Sequence, residues 1–180
     1  MRTLYGAAAL AFVLGACATH TPNPATQQNL EREADATLSE MVNRDQSLND
    51  VLQQSTAYAV FPDVGAAGAF VAGGAFGKGI LFEGGRPVGY VEVKQGSVGL
   101  ELGGQTYSEL VILRDRYDVA QLKAGKLDIG ARASAVILKT GAAATAQAGD
   151  GESVFVMPRG GLMAGVTITG QTIDYRPLRG

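Results

Sequence analysis

Histidine, cysteine and tryptophan are nearly missing from this chain: 180 residues hold one His, one Cys and no Trp. Cys17 and His20 both lie near the start, so everything beyond them lacks imidazole and thiol. A structural zinc site needs such ligands, and a nucleophile of the Cys–His or Ser–His kind needs that base. A single cysteine also allows no intramolecular disulfide. Charge of one sign is missing too: 15 Lys and Arg against 17 Asp and Glu give net −2. Nucleic-acid binders usually carry a strongly basic domain, so nucleic acid is not an expected partner. What the chain has in excess is glycine, 25 residues or about 14%, against an average near 7%. No Gly-X-Y period runs through them, which excludes collagen. Many sit inside apolar runs, as in tight turns and closely packed strands. With 46% apolar and 18% charged residues, a packed core is expected, and the length suits one domain.

The first residues read as an address. Met1-Arg2 is a short positive start, Leu4–Leu14 is apolar, and Gly15-Ala16-Cys17 offers small residues for cleavage. That is the anatomy of a secretory signal, with an apolar run too short to span a bilayer. Leu14-Gly15-Ala16-Cys17 resembles a bacterial lipobox, a signal in which the cysteine is acylated and becomes the first residue of the mature chain. The alternative is an ordinary secreted protein with a chance cysteine; the lone cysteine at the expected cleavage point favours lipidation. Residues 1–16 are then a lipoprotein signal peptide, 17–28 a lipidated cysteine and flexible tether, and 29–180 a single domain. One acyl chain anchors only marginally, at about 0.8 kcal/mol per buried methylene. Lipoprotein cysteines carry three chains, palmitate among them, so the lipobox implies permanent anchoring. Ala18 stands where Asp would retain such a protein in the inner membrane. The expected location is therefore the cell envelope, lipid-anchored at the outer membrane and facing the periplasm.

Beyond the tether, which holds His20, the spacing of Leu30, Ala34, Leu38, Met41 and Val42 predicts an amphipathic helix over Asn29–Arg44. A second, shorter helix is expected over Asp45–Gln53, with Ser47 and Asp50 spaced as a capping box. Such a helix either lies on a membrane or packs on a sheet. Its polar face carries Glu31, Glu33, Asp35 and Glu40 against Arg32 and Arg44, and membrane-surface helices favour basic faces, so packing on a sheet is expected.

After Ser55 the pattern becomes period-2. Tyr58–Phe61 reads as a strand ending at Pro62, and Phe70–Phe82 as a long strand, unbroken or bulged at its glycines. Glu83-Gly84-Gly85-Arg86 has the glycine pair of a hairpin turn. Further strands are expected at Val88–Val93, Ser97–Leu102, Glu109–Leu113, Ile129–Lys139, Ser153–Met157, Leu162–Thr169 and Gln171–Tyr175, about nine in all. A short helix over Asp115–Lys123 ends at Gly125. The expected fold class is α+β: a mostly antiparallel sheet, closed or barrel-like to hide its edges, with an N-terminal helix pair and one short inserted helix.

No catalytic signature emerges. Ser-x-x-Lys and Gly-x-Ser-x-Gly are absent, and so is a calcium loop. Asp115 and Asp118 read as a solvated first helical turn. The run Gly73–Gly79 lacks the leading Gly and the trailing Ser or Thr of a phosphate loop and is embedded in strand alternation. No enzyme activity, metal or cofactor is expected.

Three stretches together are more specific: Ala59-Val60-Phe61-Pro62, Gly73-Gly74-Ala75-Phe76-Gly77-Lys78-Gly79, and Gly96-Ser97-Val98-Gly99-Leu100-Glu101-Leu102-Gly103-Gly104-Gln105. With the closing Gly160–Val166, their order and spacing resemble the SYLF domain over about Leu48–Tyr175. The family occurs in bacterial lipoproteins and beside SH3 or FYVE modules in eukaryotes. The resemblance implies phospholipid binding without catalysis; some members also bind actin. Glu101 and Ser108 stand where many members carry Gln and Asp.

Glycine on alternate positions leaves a strand face free for close packing or for an acyl chain. Lys78, unusual in an apolar strand, either snorkels to a lipid phosphate or pairs with Glu92 or Glu101. Arg86, Arg132 and Lys139 would add to a basic, lipid-binding rim, or stand as solvated surface. The expected function is thus a lipid-anchored envelope lipoprotein whose domain binds anionic phospholipid. The alternatives are an envelope scaffold with a protein partner, and a weak hydrolase using a Ser or Asp.

Overall fold

The computed structural model describes residues 24–69, 72–97, 102–129, 134–139, 141, 143, 153–160 and 170–178. The elements run α1 (Pro24–Arg44), α2 (Leu48–Gln54), β1 (Ala57–Ala69), β2 (Ala72–Glu83), β3 (Arg86–Ser97) and β4 (Leu102–Leu113). Then follow α3 (Arg116–Lys123), β5 (Asp128–Ile129), β6 (Ser134–Ile137), β7 (Ser153–Gly160) and β8 (Gln171–Pro177). The strand expected at Leu162–Thr169 lies outside the described residues.

The helix α1 starts earlier than its apolar periodicity, inside the stretch read as a tether. Pro24 suits the first helical position, where no amide hydrogen is needed and φ is already helical. Ala34 and Met41 are buried, and Leu30, Leu38 and Val42 pack half-buried beside them on the sheet. The capping box expected of α2 does not form. Ser47 is the N-cap without a side-chain cap bond; its hydroxyl donates instead to Asp45 Oδ1 at 2.6 Å. Asp45 also accepts from the amides of Ser47 and Ala143, at 3.1 and 2.8 Å. The short helix α3 forms where expected, but Asp115, read as part of its first turn, is its N-cap, accepting from the Asp118 amide at 2.8 Å, and Gly125 follows with φ +65°.

The strands form one sheet in the order β5-β8-β3-β2-β1-β4-β7-β6. Every pairing is antiparallel except β6 with β7, which is parallel. The expectation of a closed sheet is corrected here: the described sheet is not closed, and β5 and β6 are its two edges. It nevertheless curls. The Gln171 amide on β8 donates to Glu109 Oε2 on β4 at 2.9 Å, although β3, β2 and β1 lie between these strands.

The curl has a local cause in β1. Pro62 does not end the strand, as its lack of an amide hydrogen suggested. It sits in a bulge, where the register with both neighbours shifts between Val60 and Val64. A bulge tolerates proline and bends the strand. Opposite it, β2 presents Gly77 and Gly79, where any side chain would strike β1.

Each face of the curl has its own core. On the concave face Phe61, Val64, Leu81, Val93, Tyr107 and Val111 pack with Val119 and Leu122 of α3. On the convex face Val60, Ile80, Phe82, Leu110, Ile112 and Phe155 pack under Met41, Leu48 and Val51 of the first two helices. Apolar residues on both faces make Ala57–Phe61 and Leu110–Leu113 short continuous hydrophobic runs.

Candidate functional site

Strands β1 to β4 continue past the part of the sheet that α1 covers. Beyond the bulge, the outward positions of β1 are Asp63, Gly65 and Ala67, and those of β2 are Lys78, Phe76 and Gly74. On β3 they are Glu92, Lys94 and Gly96; on β4, Thr106 and Gly104. All but the half-buried Glu92 are exposed, and five of the eleven carry no side chain or only a methyl group. Phe76 is the exception, with 46% of its surface exposed. It stands between Gly65 and Lys94 across the two neighbouring strands. An aromatic ring without cover costs apolar surface left in water, and the flanking glycines give it no shelter. The result is a face smooth at its glycines, on which one ring stands among charged side chains.

The charges around Phe76 are balanced. Lys78 lies opposite Asp63 on one side and Glu92 on the other. Lys94 Nζ is 2.5 Å from Asp174 Oδ2 on β8; the hydrogen bond to that carboxylate, then its charge, raises the lysine above its ordinary value. At this exposure the pair contributes little stability.

The expected basic rim is not assembled. Lys78 belongs to the smooth face. Arg86 is exposed at the opposite end of β2, just after the turn at Gly84 and Gly85, whose φ values of +54° and +75° favour glycine. Lys139 is exposed just beyond β6 at the far edge of the sheet. Between β2 and β6 lie β1, β4 and β7, a path of about 19 Å at the usual strand spacing. Arg132 and Cys17 lie outside the described residues. Glu92 is the register partner of Lys78, whereas Glu101 lies outside the described residues. The sequence reading did not single out Phe76, although the signal was present: an aromatic residue between glycines on an alternating strand.

A second polar centre was also missed. Arg159 on β7 donates to Ser108 Oγ on β4, to Thr37 Oγ1 on α1 at 3.1 Å and to Glu40 Oε2 at 3.4 Å. Ser108 Oγ in turn donates to the Pro62 carbonyl at 2.6 Å. This cluster ties α1 to the bulge and offers no nucleophile–base pair. Among the described residues, no group of three His, Cys, Asp or Glu is placed to hold a metal ion. No described helix is long and apolar enough to cross a membrane.

Residues 94–177 match the family model of Ysc84, described as a Las17-binding protein actin regulator. That match is consistent with the SYLF resemblance of the motifs. It spans the end of β3 and everything from β4 to β8, so the SYLF match starts well after Leu48, where the motif resemblance began. Phe76 and Lys78 lie before the SYLF match but in strands paired directly to it. No curated protein matches the chain.

Proposed function

We propose that the protein is a lipid-anchored envelope lipoprotein whose domain binds a phospholipid surface without catalysis, through the smooth end of β1–β4. The observation that carries this reading is Phe76, an exposed ring among glycines and charge-balanced side chains. An aromatic ring beside lysine stems suits the boundary between acyl chains and headgroups. The SYLF segment supports the same class of ligand, and acyl chains on Cys17 would hold the domain against the bilayer. With Lys78 and Lys94 balanced by acids, attraction here rests more on burying Phe76 than on charge. A preference for anionic headgroups would draw on Arg86, Arg132 and Lys139, of which Arg86 and Lys139 stand away from this face.

Flotation with vesicles tests the reading, using a chain that starts at Ala18 and so lacks the acylated cysteine. Vesicle association that weakens about tenfold or more on Phe76→Glu supports it. Absence of association with both anionic and zwitterionic vesicles overturns it. The second reading is a protein-interaction module of the envelope. The description of the matching family names a protein partner, and β6 is an edge strand with Ile137 exposed at 47%. A co-purifying partner lost on Ile137→Lys, with no vesicle association, favours it.

A further inference from the structure

Among the described residues one carboxylate is sealed inside the curl, and it has no role in a surface that meets lipid. Glu109 lies between Tyr107 and Val111 of the concave core and is wholly buried, as is Gln171. The Gln171 amide nitrogen donates to Glu109 Oε2 at 2.9 Å, while Glu109 Oε1 and Gln171 Oε1 have no hydrogen-bond partner. Both unpartnered atoms are acceptors if the carboxyl is ionised, and buried acceptors without donors are costly. One proton on Glu109 Oε1 supplies the missing donor. The carboxyl and the amide then match as a cyclic acid–amide pair, each giving and receiving one hydrogen bond.

We propose that Glu109 and Gln171 are a proton-operated latch between β4 and β8, fastened when the carboxyl is protonated and loosened when it ionises. The proton exchanges with solvent and no other chemistry is involved. The latch acts on the curl because β8 and β4 share no backbone pairing; their side-chain bond spans the concave face directly.

The surroundings make the carboxyl reluctant to ionise. Burial pushes it up to about 7 from an ordinary 4.5, against the opposing pull of the Gln171 hydrogen bond. Ionisable groups that belong to this face among the described side chains are Glu83, Tyr107 and Tyr175 on the strands and Arg116, Tyr117, Asp118 and Lys123 on α3. Lys123 is occupied by Glu83 at 2.6 Å and lies 5.8 Å from the centre of the Tyr175 ring. The Tyr175 hydroxyl donates to the Val88 carbonyl at 3.3 Å. None of them supplies Glu109 with a counter-charge, and its β7 register partner, Val156, is apolar.

The test uses the full chain with carbon-13 in its glutamate carboxyls, titrated by NMR from pH 4 to 9. Amide exchange in β8 is followed in parallel and corrected for the intrinsic dependence on pH. One carboxyl should titrate about two units above the others, with β8 protection falling about tenfold or more over the same range. In Glu109→Gln that resonance should vanish and protection should stay level. The proposal is overturned if every glutamate titrates together, or if the loss of protection persists in Glu109→Gln. Because the wild-type titration stands alone, a variant that fails to fold leaves the test intact.

Discussion

The Cβ that Gly79 lacks would sit 2.3 Å from the carbonyl oxygen of Val60. The same atom would lie 2.7 Å from Cδ1 of Phe61. Backbone cannot yield as a flexible side chain does, so Gly79→Ala should cost about 3 kcal/mol or abolish folding. Gly65, on the same hairpin, has nothing within 4 Å of its would-be Cβ. Gly65→Ala should therefore change stability by less than about 1 kcal/mol. Denaturant midpoints of the two variants, measured side by side, check the contrast.

Arg159→Met should loosen α1 without unfolding the sheet. It removes the bonds to Ser108 and Thr37 while Ser108 keeps the Pro62 carbonyl. A cost of about 1–2 kcal/mol is expected, with faster amide exchange confined to α1. Glu40→Gln removes the two exposed ion pairs to Arg159 and Arg44 and should lie within about 0.5 kcal/mol of the parent.

Stability should pass through a maximum in mildly acid solution. Burial acts to raise the Asp45 carboxyl, but the hydrogen bonds from Ser47, Ala143 and Gly141 outweigh it and hold the group below its ordinary 3.8. A depressed carboxylate stabilises above its unfolded value and loses that contribution as pH falls through the folded one. Glu109 has the opposite sign. Its folded value, about 7, stands above an ordinary 4.5, so its contribution is complete below 4.5 and is lost as pH rises toward 7. That limb is worth at most about 3 kcal/mol. In denaturation series over pH, Asp45→Asn should flatten the acid limb and Glu109→Gln the other.

Vesicle association should depend on Phe76 more than on Lys78. Phe76→Ser removes the exposed ring and should weaken association about tenfold, in line with about 1.5 kcal/mol of lost burial. Lys78→Ala, made between Asp63 and Glu92, should change it less than threefold. Added salt should have a small effect, because few uncompensated charges meet the surface.

The helices were legible because their signals are local. The three- and four-residue spacing along α1 and the end of α3 before Gly125 can be read without knowing what packs on them. The hairpin turn at Gly84-Gly85 was legible for the same reason. Pro62 misled because a proline ends a regular strand but is admitted at a bulge, and only the partner strands reveal which applies. The register that sets Lys78 between two acids, the curl that brings Gln171 to Glu109, and the scatter of Arg86 and Lys139 are all long-range. Alternation in the sequence gives the face of a residue and says nothing of which residues stand beside it.

The family likeness begins at Lys94, within β3, while β1 and β2 occupy the middle of the sheet. A chain cut to the matched segment would keep β4 stripped of its β1 neighbour and only the last four residues of β3. Two freshly bared edges would then offer their amides and carbonyls to any passing strand, and such edges aggregate. The smallest piece expected to fold by itself is therefore wider than the matched segment, with its boundary upstream of β1.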